Sequence, residues 1–193
     1  MREECLQCEL YKLADTPCIQ GRGQLDESTD LFLIGEAPGY EENCKGKVFI
    51  GRAGRLLEDM LKKYRESMNI YLTNAVKCFP RESSDMNNTK FRKPTEKEIE
   101  CCNYYLAEEV DKLRKDAVIM PLGNTALSAL YGEIHEKIST AIGKVHHVTL
   151  GSRTFKVVPN YHPSYVLRHP QMRETFDKMM ILAWDTLFNM RKK

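Results

Sequence analysis

No apolar run in the sequence approaches the roughly 20 residues that a membrane-spanning helix needs, so no bilayer-crossing segment and no membrane partner are expected. The first residues, Met1-Arg2-Glu3-Glu4-Cys5, carry acids and a cysteine where an export signal needs an apolar stretch, and the expected location is intracellular, in the cytoplasm. An excess of one charge is missing as well: 29 Lys+Arg stand against 27 Asp+Glu, a formal net charge of +2. The total therefore gives no sign of a nucleic-acid partner, and such a role has to come from how the charge is distributed. Internal repeats and low-complexity tracts are lacking, and 42% apolar with 29% charged residues excludes a disordered chain. A length of 193 residues suits one α/β domain, and residues 1–193 are read as a single domain.

Cysteine is the residue in odd supply. A count of seven, in a chain with no export signal, argues against a disulfide framework. Cys5 and Cys8 form a C-x2-C pair, the spacing by which two thiolates grip one metal from a single turn. Cys78 and one of the doublet Cys101-Cys102 can complete a four-thiolate site. Zinc and an iron–sulfur cluster both accept four cysteines, and spacing does not separate them. Cys18 and Cys44 have no partner at ligand spacing and read as packing or surface thiols.

Four short β-type runs, Leu31 to Ile34, Ile70 to Leu72, Val118 to Met120 and Phe155 to Val158, alternate with helical patterns. Leu56, Leu57, Met60, Leu61 and Tyr64 fall at helical spacing within Ala53 to Ser67. Thr95-Glu96-Lys97-Glu98 is a capping box that opens a second helix, Asn124 caps a third, and the last runs from about Arg173 to Met190. Gly151-Ser152 reads as a hairpin turn, and the polar stretch Arg81 to Lys93 as a mobile loop. This alternation implies a mostly parallel four-stranded sheet with helices on both faces. Each strand runs into a segment rich in Gly, Pro, Asn or His: Gly35 to Gly39, Thr73-Asn74, Leu122 to Asn124, and Asn160 to Ser164. In parallel sheets ligands bind where such carboxyl-end loops meet.

Gly35-Glu36-Ala37-Pro38-Gly39-Tyr40-Glu41-Glu42 followed by Gly46-Lys47-Val48-Phe49-Ile50-Gly51-Arg52-Ala53-Gly54 resembles the first motif of the family 4 uracil-DNA glycosylases. Thr73-Asn74-Ala75-Val76-Lys77-Cys78 resembles their second-strand signature, and Tyr161-His162-Pro163-Ser164-Tyr165-Val166-Leu167-Arg168 their second catalytic motif. The likeness runs in order from Cys5 to about Arg168. It implies a three-layer α/β/α sandwich, a [4Fe–4S] cluster held by Cys5, Cys8, Cys78 and Cys102 (with Cys101 the alternative), and removal of uracil from single- or double-stranded DNA. Residues 79–101 separate Cys78 from Cys102, an interval longer than the family's usual one. No basic insertion follows the first motif, which sets the chain apart from relatives that bond covalently to DNA.

These residue types suit that chemistry. Phe49 offers an aromatic face for a flipped base, and the Asn74 amide accepts from uracil N3–H and donates to O4, a pattern that cytosine reverses. His162 donates to uracil O2 as charge develops there, worth about 3 kcal/mol. Glu36 is the preferred carboxylate, for orienting the water or stabilising the cationic sugar, and Ala37, on the substrate side, stands where better-known uracil glycosylases carry Asp. The resemblance puts Glu42 beside the base, against the thymine methyl, with Glu41 its nearest competitor. Lys45, Lys47, Arg52, Arg55 and Arg168 are the candidate phosphate contacts, and Val166 and Leu167 the candidate wedge into the gap left by the flipped nucleotide. The expected state is a monomer with a possible replication or repair partner. A catalytically weak uracil-DNA or single-strand binding module is the rival reading, and an electron-transfer protein the third.

Overall fold

The computed structural model describes residues 8–83, 85, 87, 89–131 and 136–191. Its strands are β1 (Leu31–Gly35), β2 (Ile70–Asn74), β3 (Val118–Pro121), β4 (His146–Leu150) and β5 (Arg153–Val157), joined in one sheet of order β2-β1-β3-β5-β4. The four strands expected from the sequence run parallel, while β4 pairs antiparallel with β5 across the Gly151-Ser152 turn. The sheet thus has five strands rather than four. The first arm of the hairpin joins as an edge strand because the outer N–H and C=O groups of β5 need a partner.

The helices are α1 (Leu10–Leu13), α2 (Tyr40–Lys45), α3 (Arg52–Leu61), α4 (Glu96–Val110), α5 (Asn124–Tyr131), α6 (Ile138–Ala141), α7 (Pro163–Arg168) and α8 (Met172–Arg191). Side chains alternate across β1, as a strand buried on both faces requires. Leu31 and Leu33 share one apolar core with Leu57 and Met60 of α3 and Phe176, Met180 and Leu187 of α8. Phe32 and Ile34 share the other with Leu106 and Val110 of α4 and Ala126 and Leu130 of α5. The result is the expected α/β/α sandwich. Among the described residues no helix is long and apolar enough to cross a membrane.

Local signals set several boundaries. The Thr95 hydroxyl accepts from Glu98 N–H at 3.3 Å, and the Glu98 carboxylate accepts from Thr95 N–H at 2.8 Å, so the capping box forms as read. α3 stops at Leu61, short of Ser67, because the chain tightens into i to i+3 turns, with Tyr64 N–H on Leu61 C=O at 2.9 Å. Asn124 begins α5, but its side chain accepts from Ile138 N–H at 2.8 Å and ties α5 to the start of α6 instead of capping its own helix.

The loop expected to be mobile is pinned at both ends. Glu82 N–H donates to Lys90 C=O at 3.1 Å and Arg92 N–H to Pro80 C=O at 3.0 Å, closing an antiparallel bridge between Arg81 and Phe91. Arg81 is buried, donating to Leu13 C=O at 2.8 Å and to both oxygens of Asp15 at 3.0 Å. Polarity suggested solvent, but these acceptors lie far away in sequence and only the fold supplies them.

Candidate active site at the carboxyl edge of the sheet

β1 and β2 end in register, with Gly35 opposite Asn74. The ladder continues past both strands, as Gly35 C=O accepts from Ala75 N–H at 2.9 Å and Glu36 C=O from Val76 N–H at 3.0 Å. Glu36 is thereby fixed beside Asn74. Beyond β3, Leu122 bridges Asn160 and brings Gly123 under His162. Asn160 is fully buried and donates to Phe176 C=O at 3.1 Å, which anchors the segment carrying His162 to α8. A cleft of about 660 Å³ opens at this edge, and Glu36, Ala37, Phe49, Asn74, His162 and Arg168 are among its walls.

Phe49 enters the cleft from the link between α2 and α3 with φ of 54°, a left-handed backbone that a bulky residue rarely adopts. Two contacts hold it there. Glu42 is buried, and its Oε1 accepts from Ile50 N–H at 2.9 Å and Gly51 N–H at 2.7 Å. Gly54, in the first turn of α3, packs so tightly that a Cβ would lie 2.1 Å from the Phe49 carbonyl. Glu42 thus clamps the loop that presents Phe49, besides lining the cleft.

Gly35 lets the aromatic ring and the amide meet. A Cβ there would sit 2.4 Å from Asn74 Oδ1 and 2.6 Å from Phe49 Cζ. Both neighbours are buried, so neither swings aside freely. Gly35→Ala is expected to cost about 1–3 kcal/mol by overpacking, read as a lower thermal unfolding midpoint. An unchanged midpoint would show that ring and amide are free to move.

His162 precedes Pro163 and caps α7 through its own ring: Nδ1 accepts from Ser164 N–H at 3.2 Å and lies 2.8 Å from Ser164 Oγ. Because that backbone N–H occupies Nδ1, the neutral ring carries its proton on Nε2. Burial, and secondarily the Arg168 guanidinium, lowers the imidazole pKa from 6.5 to about 4. At neutral pH the cleft therefore holds a neutral imidazole with one N–H to give.

Glu36 is the complementary group. Burial raises its pKa above 4.5, opposed by a hydrogen bond from Thr125 and by the charge of Lys93. Its Oε1 is buried with no hydrogen-bond partner among the described residues. Such an orphaned acceptor costs about 1–3 kcal/mol, and it is the kind of group that holds a water.

The basic residues divide. Arg52 and Arg168 line the cleft together with Lys93, which the sequence reading passed over. Arg55 is on the rim, paired with Glu41 at 3.1 Å and donating to Ile50 C=O at 2.8 Å. Lys45 and Lys47 are exposed nearby. The wedge pair is corrected by burial: Val166, 2% exposed, belongs to the apolar core, whereas Leu167 is 38% exposed. Helix α7 turns adjacent residues about 100° apart, so one of the pair faces the sheet when the other faces out.

Among the proposed thiolates, Cys8, Cys78 and Cys102 share one apolar cluster with Leu10, Ala14 and Val76, packed against Ala37 of the cleft. Cys78 Sγ accepts from Cys18 N–H at 3.2 Å, with Cys18 in a left-handed backbone at φ of 51°. A buried sulfur that receives a backbone N–H is the environment a ligating thiolate needs. Cys101 is half-buried and Cys44 exposed. Cys5 lies outside the described residues. Among the described residues no three His, Cys, Asp or Glu side chains converge on a position for a single ion.

Sequence reasoning did not single out Gly35 for close approach, Thr125 and Lys93 beside Glu36, or Asn160 behind His162. Ser164 had a local signal, since it follows His-Pro at the offset where an N-terminal N–H meets a capping side chain.

The mostly parallel sheet and the cleft at its carboxyl edge define an α/β protein in which an amide, an aromatic ring, a carboxylate and a neutral imidazole line one cleft. The family model of the uracil DNA glycosylase superfamily matches residues 22–188, and the chain belongs to that superfamily. It is similar to the type-4 uracil-DNA glycosylase of Archaeoglobus fulgidus, 35% identical over 179 residues that cover 90% of this chain and 83% of that protein. The type-4 enzyme of Thermotoga maritima is 37% identical over 171 residues, 86% of this chain and 80% of that protein. A segment amounting to 16% of a DNA polymerase of Bacillus phage SP01 is 30% identical over 165 residues.

Proposed function

We propose that this chain is a DNA repair glycosylase that takes uracil out of DNA and hydrolyses its N-glycosidic bond, leaving an abasic site. The observation that carries the reading is the meeting of the Asn74 amide and the Phe49 ring across Gly35, in the same cleft as neutral His162 and the unpartnered Oε1 of Glu36. The names of the type-4 relatives support it. Flipped uracil stacks on Phe49, and Asn74 accepts from its N3–H and donates to O4. Glu42 and Ala37 shape the side of the pocket that a thymine methyl would enter. As the bond between N1 and the sugar breaks, its electron pair moves onto the base, and the Nε2–H of His162 stabilises the charge at O2. Glu36 orients a water toward the cationic sugar carbon. The water oxygen bonds to that carbon, and its proton passes to the carboxylate.

Arg52, Arg168, Lys47 and Arg55 serve the flanking phosphates, and Leu167 is the residue left to fill the vacated stack. Cys5, Cys8, Cys78 and Cys102 would hold a [4Fe–4S] cluster, which when bound would cross-link the N-terminal cysteines to the segment after β2 and to α4. The whole chain acts as one intracellular catalytic unit and as a monomer. The similarity to part of a phage DNA polymerase supports a setting beside replication proteins.

Purified protein should release uracil from single- and double-stranded oligonucleotides, seen as strand breakage after alkali. The same preparation should be brown, with about four iron and four sulfide per chain. Uracil DNA left intact at stoichiometric protein would overturn the enzyme reading, and zinc in place of iron the cluster.

A further inference from the structure

We propose that Phe91 and Tyr40 form a stacking site for a nucleobase next to the flipped uracil, and that this site favours single-stranded DNA. The inference rests on the uracil reading of the cleft and extends it to a neighbouring nucleotide. Both rings line the cleft, and both are 44% exposed. They flank the fully buried Phe79, whose ring centroid is 6.3 Å from Tyr40 and 6.2 Å from Phe91. Beneath them the Arg81 guanidinium lies 5.4 Å from the Phe79 centroid, itself anchored on Asp15. The platform is therefore rigid before any ligand arrives.

Three features select a nucleobase strand as the occupant. The rings open onto the pocket that takes the uracil, so a base one step along the backbone reaches them. Arg52, Lys93 and Arg168 line the same cleft and match the phosphates on either side of such a base. Phe91 is held by the bridge to Arg81 and by the ion pair of its neighbour Arg92 with Glu98 at 2.7 Å, so little conformational freedom is lost on stacking. A base in a duplex is already paired and stacked on both faces, and moving it onto Phe91 sacrifices those contacts. A base in a single strand has a face to offer.

The test compares wild type, Phe91→Ala, Phe91→Tyr and Tyr40→Ala on one uracil-containing oligonucleotide, single-stranded and annealed. Phe91→Ala should raise KM on the single strand about tenfold, with kcat kept and the duplex changed less than twofold. Tyr40→Ala should move in the same direction, and Phe91→Tyr, which keeps a ring face, should match wild type. Equal losses on both substrates, or none on the single strand, overturn the proposal. If wild type releases no uracil from either form, the uracil reading has failed by itself. Stacking is then judged by fluorescence anisotropy with a uracil-free single strand, where weaker binding by Phe91→Ala supports the site and unchanged binding overturns it.

Discussion

His162→Ala is expected to lower kcat for uracil release by about 10²–10³-fold with KM little changed. The loss falls on kcat because the Nε2–H meets a charge that exists only as the base departs. The ring is prepared for this. Ser164 N–H occupies Nδ1, and burial with the Arg168 charge lowers the pKa to about 4. Between the ordinary value of 6.5 and about 4, the unfolded chain binds a proton that the folded chain refuses. The stability associated with His162 is thus complete above pH 6.5 and declines as pH falls toward 4. Urea midpoints across that window should fall less steeply for His162→Ala than for wild type. A wild-type rate that drops at pH 6.5 would show an imidazole titrating normally and would remove the argument for a neutral donor.

Glu36→Gln is the second large effect, a loss of at least about a hundredfold in kcat. The amide keeps the shape of the side chain and its bond with Thr125 but cannot take the proton of a water. Because burial raises the Glu36 pKa above 4.5, the acidic limb of the wild-type rate profile should lie above that value, with activity lost as the carboxylate gains its proton. The variant should lose that limb. It should also unfold at an equal or higher temperature than wild type, since a desolvated charge has been removed from the cleft. A variant that keeps wild-type kcat would assign the water to another group, and Glu41 and Glu42, the other carboxylates that line the cleft, are the next to test.

Much of the site was legible because its residues sit in short segments at strand ends. Gly35-Glu36, Asn74 and Asn160 to His162 are each local in sequence, and a parallel sheet brings its carboxyl ends together whatever the side chains between them. The capping box at Thr95 was legible for a similar reason, as both its hydrogen bonds close within four residues. Val166 was misjudged because α7, six residues long, is shorter than two turns, and its apolar face is not a periodic stripe until the core beneath it is known. The segment from Arg81 to Phe91 was misjudged because its cation finds Leu13 and Asp15, more than sixty residues away in the chain.

By itself, the sequence determined the four parallel strands, the start of α4, the family resemblance and the residue types available at the cleft. These follow from periodicity and from motifs that are contiguous or nearly so. The tertiary structure alone decided that burial keeps the His162 imidazole neutral, which oxygen of Glu36 stays without a partner, and that Phe49 and Asn74 meet over a missing Cβ. It also divided the apolar pair on α7 into core and surface, and brought Cys8, Cys78 and Cys102 into one cluster. Each of these depends on water being excluded by segments remote in sequence. Desolvation and close approach are properties of the packed chain, and no local pattern carries them.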